Sequence, residues 1–477
     1  MSSGSRGIYN KVYSPTNQLY RRDKIMKLFG TNGVRGIANE KITPDMALDL
    51  GKSLGTYLLQ NNQDIRVAVG MDTRISGDML RSAAVAGLLS TGVEVVDVGV
   101  LPIPALQYYI RDRANAGIMI TASHNPREYN GLKIIAGDGT EFSREGETEV
   151  ETIYFSHKFH QARWDKTGGY FKDQSAIRSY MDGIIEHVDA DAIRSAGLTV
   201  VVDPGCGAAC AVTPLLLREL GCKVISLNAQ PDGTFPGRNP EPTKDVLSDL
   251  MNTVRASGAD VGIAHDGDAD RVAFVDENGE FLDEEDLLAL MGSHVLTQKK
   301  GNVVTPVSSS LRLKDIAQSM GCELTWTAVG SIDVAHKMID INAVFGGEGN
   351  GGLIFPDFQY CRDGAMTAAK MLELLARGKK LSELRANIPQ YHNLKDKIKC
   401  DDPVDVMKAA KLALKHEDVD DTDGLKIWYP DGWILIRPSG TEPIIRIYVE
   451  SSSSGRVKEL MEYGRSVVNE CSAGTVD

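Results

Sequence analysis

Short β-branched runs alternate with helix-length amphipathic stretches from residue 29 to residue 376, and this alternation restricts the chain to α/β layer architectures. The pattern begins at Thr43-Pro44, an N-cap and N1 pair, after which Met46, Leu50, Leu54 and Leu58 share one helical face. Strand-like 65–69, a helix over 79–89, strand-like 93–98 and a short helix after Pro104 follow, and a polar stretch at 166–169 closes this unit. A second unit repeats the theme with a helix over 175–187, strand 199–202, helix 211–220, and strands 223–226 and 259–264. A third, from about Asp276, has helices over 287–296, 311–320, 332–339 and 363–376 between strands at 303–307, 324–328 and 343–345. Past Tyr391 the order changes to strand 394–400, helix 404–416, hairpin-like 424–429 and 432–436, strand 444–449 and helix 456–468, a smaller α+β domain. The expected division is an extension over 1–26, α/β domains over 27–170, 171–275 and 276–388, and an α+β domain over 389–477.

Charge and cysteine content narrow the function classes. Lys and Arg number 52 against 65 Asp and Glu, a net charge of −13 that argues against nucleic acid as a partner, so any anionic ligand must be met by locally placed cations. The 7 cysteines form no CxxC pair and mostly sit in apolar surroundings, as thiols of a reducing compartment do. No stretch is apolar for the length of a membrane span, and the first residues lack the hydrophobic segment of a signal peptide, so the expectation is a cytoplasmic protein without a membrane partner.

Chemistry concentrates in loops at strand ends. The run Ile118, Met119, Ile120 stops at Thr121-Ala-Ser-His-Asn-Pro126 and resumes at Leu132, placing Ser123 and His124 in a loop between two strands, with Lys133 within reach on the return. Phe29-Gly-Thr-Asn-Gly-Val-Arg-Gly36 surrounds Arg35 with glycines, which suits close approach to a phosphate. The loop His265-Asp-Gly-Asp-Ala-Asp-Arg271 sets Asp266, Asp268 and Asp270 at alternate positions beside Arg271, a density of negative charge that calls for a hard divalent cation. An EF-hand is rejected because Arg271 stands at the sixth position, where that loop needs glycine, and the flanks read as strands. Gly346-Gly-Glu-Gly-Asn-Gly-Gly352 is too glycine-rich for a stable element and offers Glu348 and Asn350, groups matched to sugar hydroxyls. Arg437-Pro-Ser-Gly-Thr-Glu-Pro443 has the chemistry of an anion nest in Arg437, Ser439, Gly440 and Thr441.

In this order and at these intervals, the loops TASHNP, DGDADR, GGEGNGG and RPSGTEP, together with FGTNGVRG, resemble the α-D-phosphohexomutase family over nearly the whole chain from about Lys27. The resemblance implies three similar α/β domains with mixed sheets and a fourth α+β domain around a central cleft. It implies interconversion of hexose 1-phosphate and 6-phosphate, glucosamine, mannose or glucose phosphates being the candidate substrates, through a phosphoserine at Ser123 and a hexose 1,6-bisphosphate. It further implies Mg²⁺ held by Asp266, Asp268, Asp270 and the serine phosphate, sugar contacts from Glu348 and Asn350, and the non-reacting phosphate held by Arg437, Ser439 and Thr441. Arg35, Lys133 and Arg271 match positions beside the transferring phosphoryl group, and His124 or Lys133 would move the hydroxyl proton. One departure stands out: many members carry Glu-x-Ser-Gly-His in the sugar loop, whereas Glu348-Gly-Asn-Gly-Gly352 resembles the archaeal type and replaces a hydroxyl and an imidazole with an amide and nothing. The oligomeric state stays open, and two other readings remain, a metal-dependent sugar phosphatase and a non-catalytic sugar-phosphate sensor.

Overall fold

The computed structural model describes residues 27–30, 32–60, 64–439 and 443–473, so the expected extension 1–26 lies outside the described residues, as do Gly440 and Thr441. The first sheet contains β1 (Val34–Ile37), β2 (Arg66–Met71), β3 (Glu94–Val100), β4 (Ala116–Ile120), β5 (Tyr129–Ala136) and β6 (Tyr170–Lys172), in the order β1-β5-β4-β2-β3-β6. Its β4, β2, β3 and β6 run parallel, and β5 returns antiparallel to β4 before β1 pairs antiparallel with β5. The second sheet is built from β7 (Thr199–Asp203), β8 (Lys223–Ser226), β9 (Val261–His265) and β10 (Val272–Val275), in the order β10-β9-β7-β8. The third, in the order β12-β11-β13-β14-β15, has β11 (Val303–Pro306), β12 (Leu324–Thr327), β13 (Phe345–Glu348), β14 (Gly352–Phe355) and β15 (Gln359–Arg362). In both, parallel strands end in an antiparallel hairpin: β9 to β10, and β13 to β14.

The fourth sheet is antiparallel throughout: β16 (His392–Lys399), β17 (Val419–Asp420), β18 (Leu425–Tyr429), β19 (Gly432–Pro438) and β20 (Ile444–Ser451), ordered β16-β20-β19-β18-β17. One hydrophobic core runs without a break from Ala68 and Met119 of the first sheet through Val200 and Ile263 of the second to Val303 and Phe345 of the third. The fourth sheet has its own core, around Ile427, Ile434 and Ile447. This is the expected α/β fold with a smaller antiparallel domain.

Local differences from the sequence reading have physical causes. Gly346-Gly347-Glu348 is strand, not loop: β13 pairs with β14 so that Glu348 faces Gly352, and neighbouring strands supply the order that glycine lacks. Helix Arg144–Ser156 has a mostly polar exposed face that hid its period, though Ser143 caps it through Gly146 N at 3.1 Å. The short β6 passes the expected boundary at 170 and adds to the first sheet beside β3.

Candidate active site

Three of the four polar loops are the turns of the hairpins just described, β4–β5, β9–β10 and β13–β14, and each leaves the carboxyl end of a parallel strand. The turns touch. An added Cβ on Gly267 would meet the Ser123 carbonyl at 2.5 Å, so the metal-type loop lies directly against the serine loop. Val272 N donates to Gly351 O at 3.1 Å, joining the metal-type hairpin to the sugar-type loop.

Ser123 is wholly buried and adopts a left-handed backbone (φ +52), a conformation that costs free energy in a residue with a Cβ and that surrounding contacts must hold. Arg74 is the brace. Its buried guanidinium donates to the carbonyls of Ser123 at 2.8 Å, Asn125 at 2.6 Å, Pro126 at 2.7 Å and Tyr129 at 2.8 Å, while Asp72 anchors it at 3.0 Å. Thr121 links the pair to the loop, donating to Asp72 and accepting from Ser123 N at 2.8 Å. The metal-type loop has a matching brace in Arg238, which holds Asp203 at 3.0 Å and donates to His265 O at 2.7 Å. Sequence reading missed both arginines because each lies far along the chain from the loop it supports; the one local signal was Asp72-x-Arg74 directly after a strand.

The Ser123 hydroxyl donates to Asp266 Oδ2 at 2.8 Å and lies 3.4 Å from His124 Nδ1. Carboxylate oxygens of Asp266, Asp268 and Asp270 lie within 4.8 Å of one another, all buried. Burial and the charges of Asp268 and Asp270 push the Asp266 carboxyl far up, whereas Asp268, despite the cost of its burial, is held low by Lys133 and Arg35. Lys133, itself buried, reaches Asp268 at 2.8 Å and Asp270 at 3.5 Å from β5. Burial beside Arg271 and Arg35 lowers His124 to about 3, leaving a neutral imidazole.

Unpartnered atoms collect at this point. Asp268 Oδ1 and Asp270 Oδ1 are buried acceptors without a hydrogen bond, and Arg35 Nε and Arg271 Nε are buried donors without one. Buried polar atoms left this way are costly, and a set containing both carboxylate acceptors and guanidinium donors suits a cation together with an anionic phosphate. The three carboxylates could hold a metal ion, with hard oxygen donors of the kind Mg²⁺ takes.

Glu348 and Asn350 stand at the sugar-type turn. Asn350 Oδ1 accepts from Gly352 N at 3.1 Å. Glu348 is tied at 2.8 Å to Arg362 of β15, whose other terminal nitrogen donates to Asp270, so a single unforeseen arginine bridges two loops. Arg35 lies on β1 rather than in a glycine turn, and its Nη1 reaches Asn125 Oδ1 of the serine loop at 3.4 Å. Arg437 pairs with Asp423 at 3.0 Å, and Asp423 also accepts from Val329 N of the third unit at 2.9 Å. Among the described residues no hydrogen bond or ion pair joins Arg437 to the serine, metal-type or sugar-type loops; Ser439 N donates to Ile444 O at 3.0 Å. No helix of the described residues is long and apolar enough to cross a membrane.

Known proteins resemble this chain over most of its length. The phosphoglucomutase/phosphomannomutase α/β/α domains I, II and III match residues 26–161, 178–279 and 283–391, and the family's C-terminal domain matches 395–464. The chain is 47% identical to a phosphoglucomutase/phosphomannomutase of Thermococcus kodakarensis, over 94% of this chain and 100% of that one. It is 40% identical to a phosphoglucosamine/phosphogalactosamine mutase of Sulfurisphaera tokodaii, over 93% of this chain and 99% of that one. A crystal structure of a phosphoglucomutase/phosphomannomutase family protein from Burkholderia thailandensis superposes with a TM-score of 0.84 at 27% identity, covering 93% of this chain and 97% of the other. The chain therefore belongs to the phosphoglucomutase/phosphomannomutase family of phosphohexomutases.

Proposed function

We propose that this protein interconverts hexose 1-phosphate and hexose 6-phosphate, with Ser123 as the phosphoryl carrier and a hexose 1,6-bisphosphate as the intermediate. The observation that carries the reading is the buried Ser123 hydroxyl, 2.8 Å from Asp266 in a cluster of three carboxylates that Lys133 clamps. With phosphate on Ser123, the Ser123 oxygen–phosphorus bond breaks as the free hydroxyl of the bound sugar forms its own bond to phosphorus. The neutral His124 imidazole offers a lone pair beside Ser123, while Lys133 is committed to Asp268 as a charge clamp. Mg²⁺ held by Asp266, Asp268, Asp270 and the serine phosphate would neutralise charge on the transferring group. Arg35 Nε is buried without a hydrogen bond, and Arg271 Nε lies 3.9 Å from Asp270 Oδ1, so both cations can serve the transferring group. Glu348 and Asn350 hold sugar hydroxyls, and Arg437, Ser439, Gly440 and Thr441 hold the phosphate that is not reacting, so the bisphosphate can turn end for end and return its other phosphate to Ser123.

The same reading keeps the division of the chain near residues 170, 275 and 388, takes small sugar phosphates rather than nucleic acid as partners, and places the protein in the cytoplasm, where its seven free cysteines suit a reducing environment. The test is a panel of glucosamine, mannose and glucose 1-phosphates, ranked by kcat/KM with free phosphate followed in parallel. The 6-phosphate isomer should form without matching phosphate release. Release equal to substrate loss would identify a phosphatase, and binding without turnover of any of the three would identify a sensor.

A further inference from the structure

Gly352 stands where many family members carry histidine, and the space is not empty. An added Cβ on Gly352 would lie 2.3 Å from Cδ and 3.1 Å from Cγ of Arg362, and 3.1 Å from Asn350 Oδ1. The methylenes of Arg362 fill the volume a side chain at 352 would need. Its head is buried and forked, with Nη1 on Glu348 Oε2 at 2.8 Å and Nη2 on Asp270 Oδ2. Glu348 and Gly352 face each other across β13 and β14, and β15 delivers Arg362 beside them. One cation thus spans the sugar-type and metal-type loops.

We propose that Arg362 is a positioning residue that couples these two loops, and that position 352 is glycine because Arg362 occupies its side-chain volume. The arginine does two separable things. Its fork orients the Glu348 carboxylate, and its charge competes with a cation for Asp270, whose Oδ2 it already shares with Lys133. Removing the charge therefore tightens cation binding at the triad while loosening the sugar contact. Damage to the fold would weaken both. The inference rests on the reading of Asp270 as a cation ligand and of Glu348 as a sugar contact.

The experiment titrates Mg²⁺ alone, read as a thermal shift, and measures KM for glucose, mannose and glucosamine 1-phosphates. Arg362→Gln should lower the Mg²⁺ midpoint about fivefold, because a positive charge beside Asp270 is gone. The same variant should raise KM about tenfold, the loss of one charge-assisted hydrogen bond. Arg362→Lys keeps the charge without the fork and should hold the Mg²⁺ midpoint within about twofold of the natural protein while KM rises. Gly352→Ala, which forces the arginine aside, should follow Arg362→Gln in both readouts, and the double variant should be no worse than Arg362→Gln. Weakening of Mg²⁺ and sugar together, an unmoved Mg²⁺ midpoint, or summed effects in the double variant would overturn the coupling. Failure of the mutase reading would look different, as no turnover of any of the three sugar phosphates by the unaltered protein, with the Mg²⁺ titration still reporting on Arg362.

Discussion

Ser123 combines a left-handed backbone, complete burial and a hydroxyl on Asp266, and Arg74 holds its carbonyl. Four loop carbonyls point at one guanidinium, so an ion pair at the centre of the turn adds to the bonds the loop makes within itself. Replacing Arg74 leaves Asp72 as a buried, uncompensated carboxylate, and Arg74→Ala should cost about 3–5 kcal/mol of stability. Where the protein still folds, as is expected for Arg74→Lys, a displaced Ser123 should lower kcat about 100-fold, read by steady-state kinetics beside a thermal melt. Ser123, Lys133 and the three aspartates were legible in the sequence because their motifs are contiguous or sit on the hairpin return. Arg74, Arg238 and Arg362 were not, since an isolated arginine gives no local signal and acquires meaning only when the chain closes on itself.

The recurring element is the hairpin at the carboxyl end of a parallel strand, used three times with a different set of polar side chains at each turn. Its strands were readable from β-branched runs in the first two cases, and in the third the glycines concealed β13 until β11 and β14 flanked it. Helix Glu284–Gln298 contributes to the third hairpin through its first turn, where Glu285 accepts from Ser310 N at 2.9 Å and lies where a side chain on Gly349 would go. Burial pushes Glu285 up to about 7 from its ordinary 4.5. The folded protein thus keeps a proton there that the unfolded chain has released between these values, so this group makes stability fall as pH rises from about 4.5 to about 7, with no further loss above. Glu285→Gln should remove about 3 kcal/mol of that fall, and melts at several pH values for both proteins would show it as a smaller difference between pH 4.5 and pH 8.

Across the molecule, the first three units share one continuous core while the fourth keeps its own and meets the third through a small seam around Val307, Leu311, Trp433 and Leu435. At that seam the buried Lys426 ammonium lies 3.9 Å from the ring centres of Trp428 and Trp433 and 4.5 Å from that of Trp326, and it donates to Val307 O. Glu450 accepts from Leu311 N at 2.7 Å across the same contact and from Trp433 Nε1 at 3.0 Å within its own sheet. The fourth unit is therefore a part with its own core, and in the proposed function it contributes the anion loop. On this account Arg437→Ala should raise KM about 30–100-fold, the value of a bidentate phosphate contact, and leave the Mg²⁺ midpoint unchanged, as titration and kinetics on one preparation would show. The alternation of elements reads as repeated α/β units followed by a different one, because units that fold around separate sheets repeat their periodicity. The closeness of the loops followed from the resemblance, which implied a central cleft, and not from the alternation itself, since convergence depends on packing between units.

The most direct measurement is the mass of the Ser123 peptide after incubation with glucose 1,6-bisphosphate and Mg²⁺, paired with turnover of Ser123→Ala. The account predicts one phosphoryl group on Ser123 in the unaltered protein and loss of nearly all mutase activity in the variant. An unmodified Ser123, or a Ser123→Ala protein that turns over at the natural rate, would contradict it.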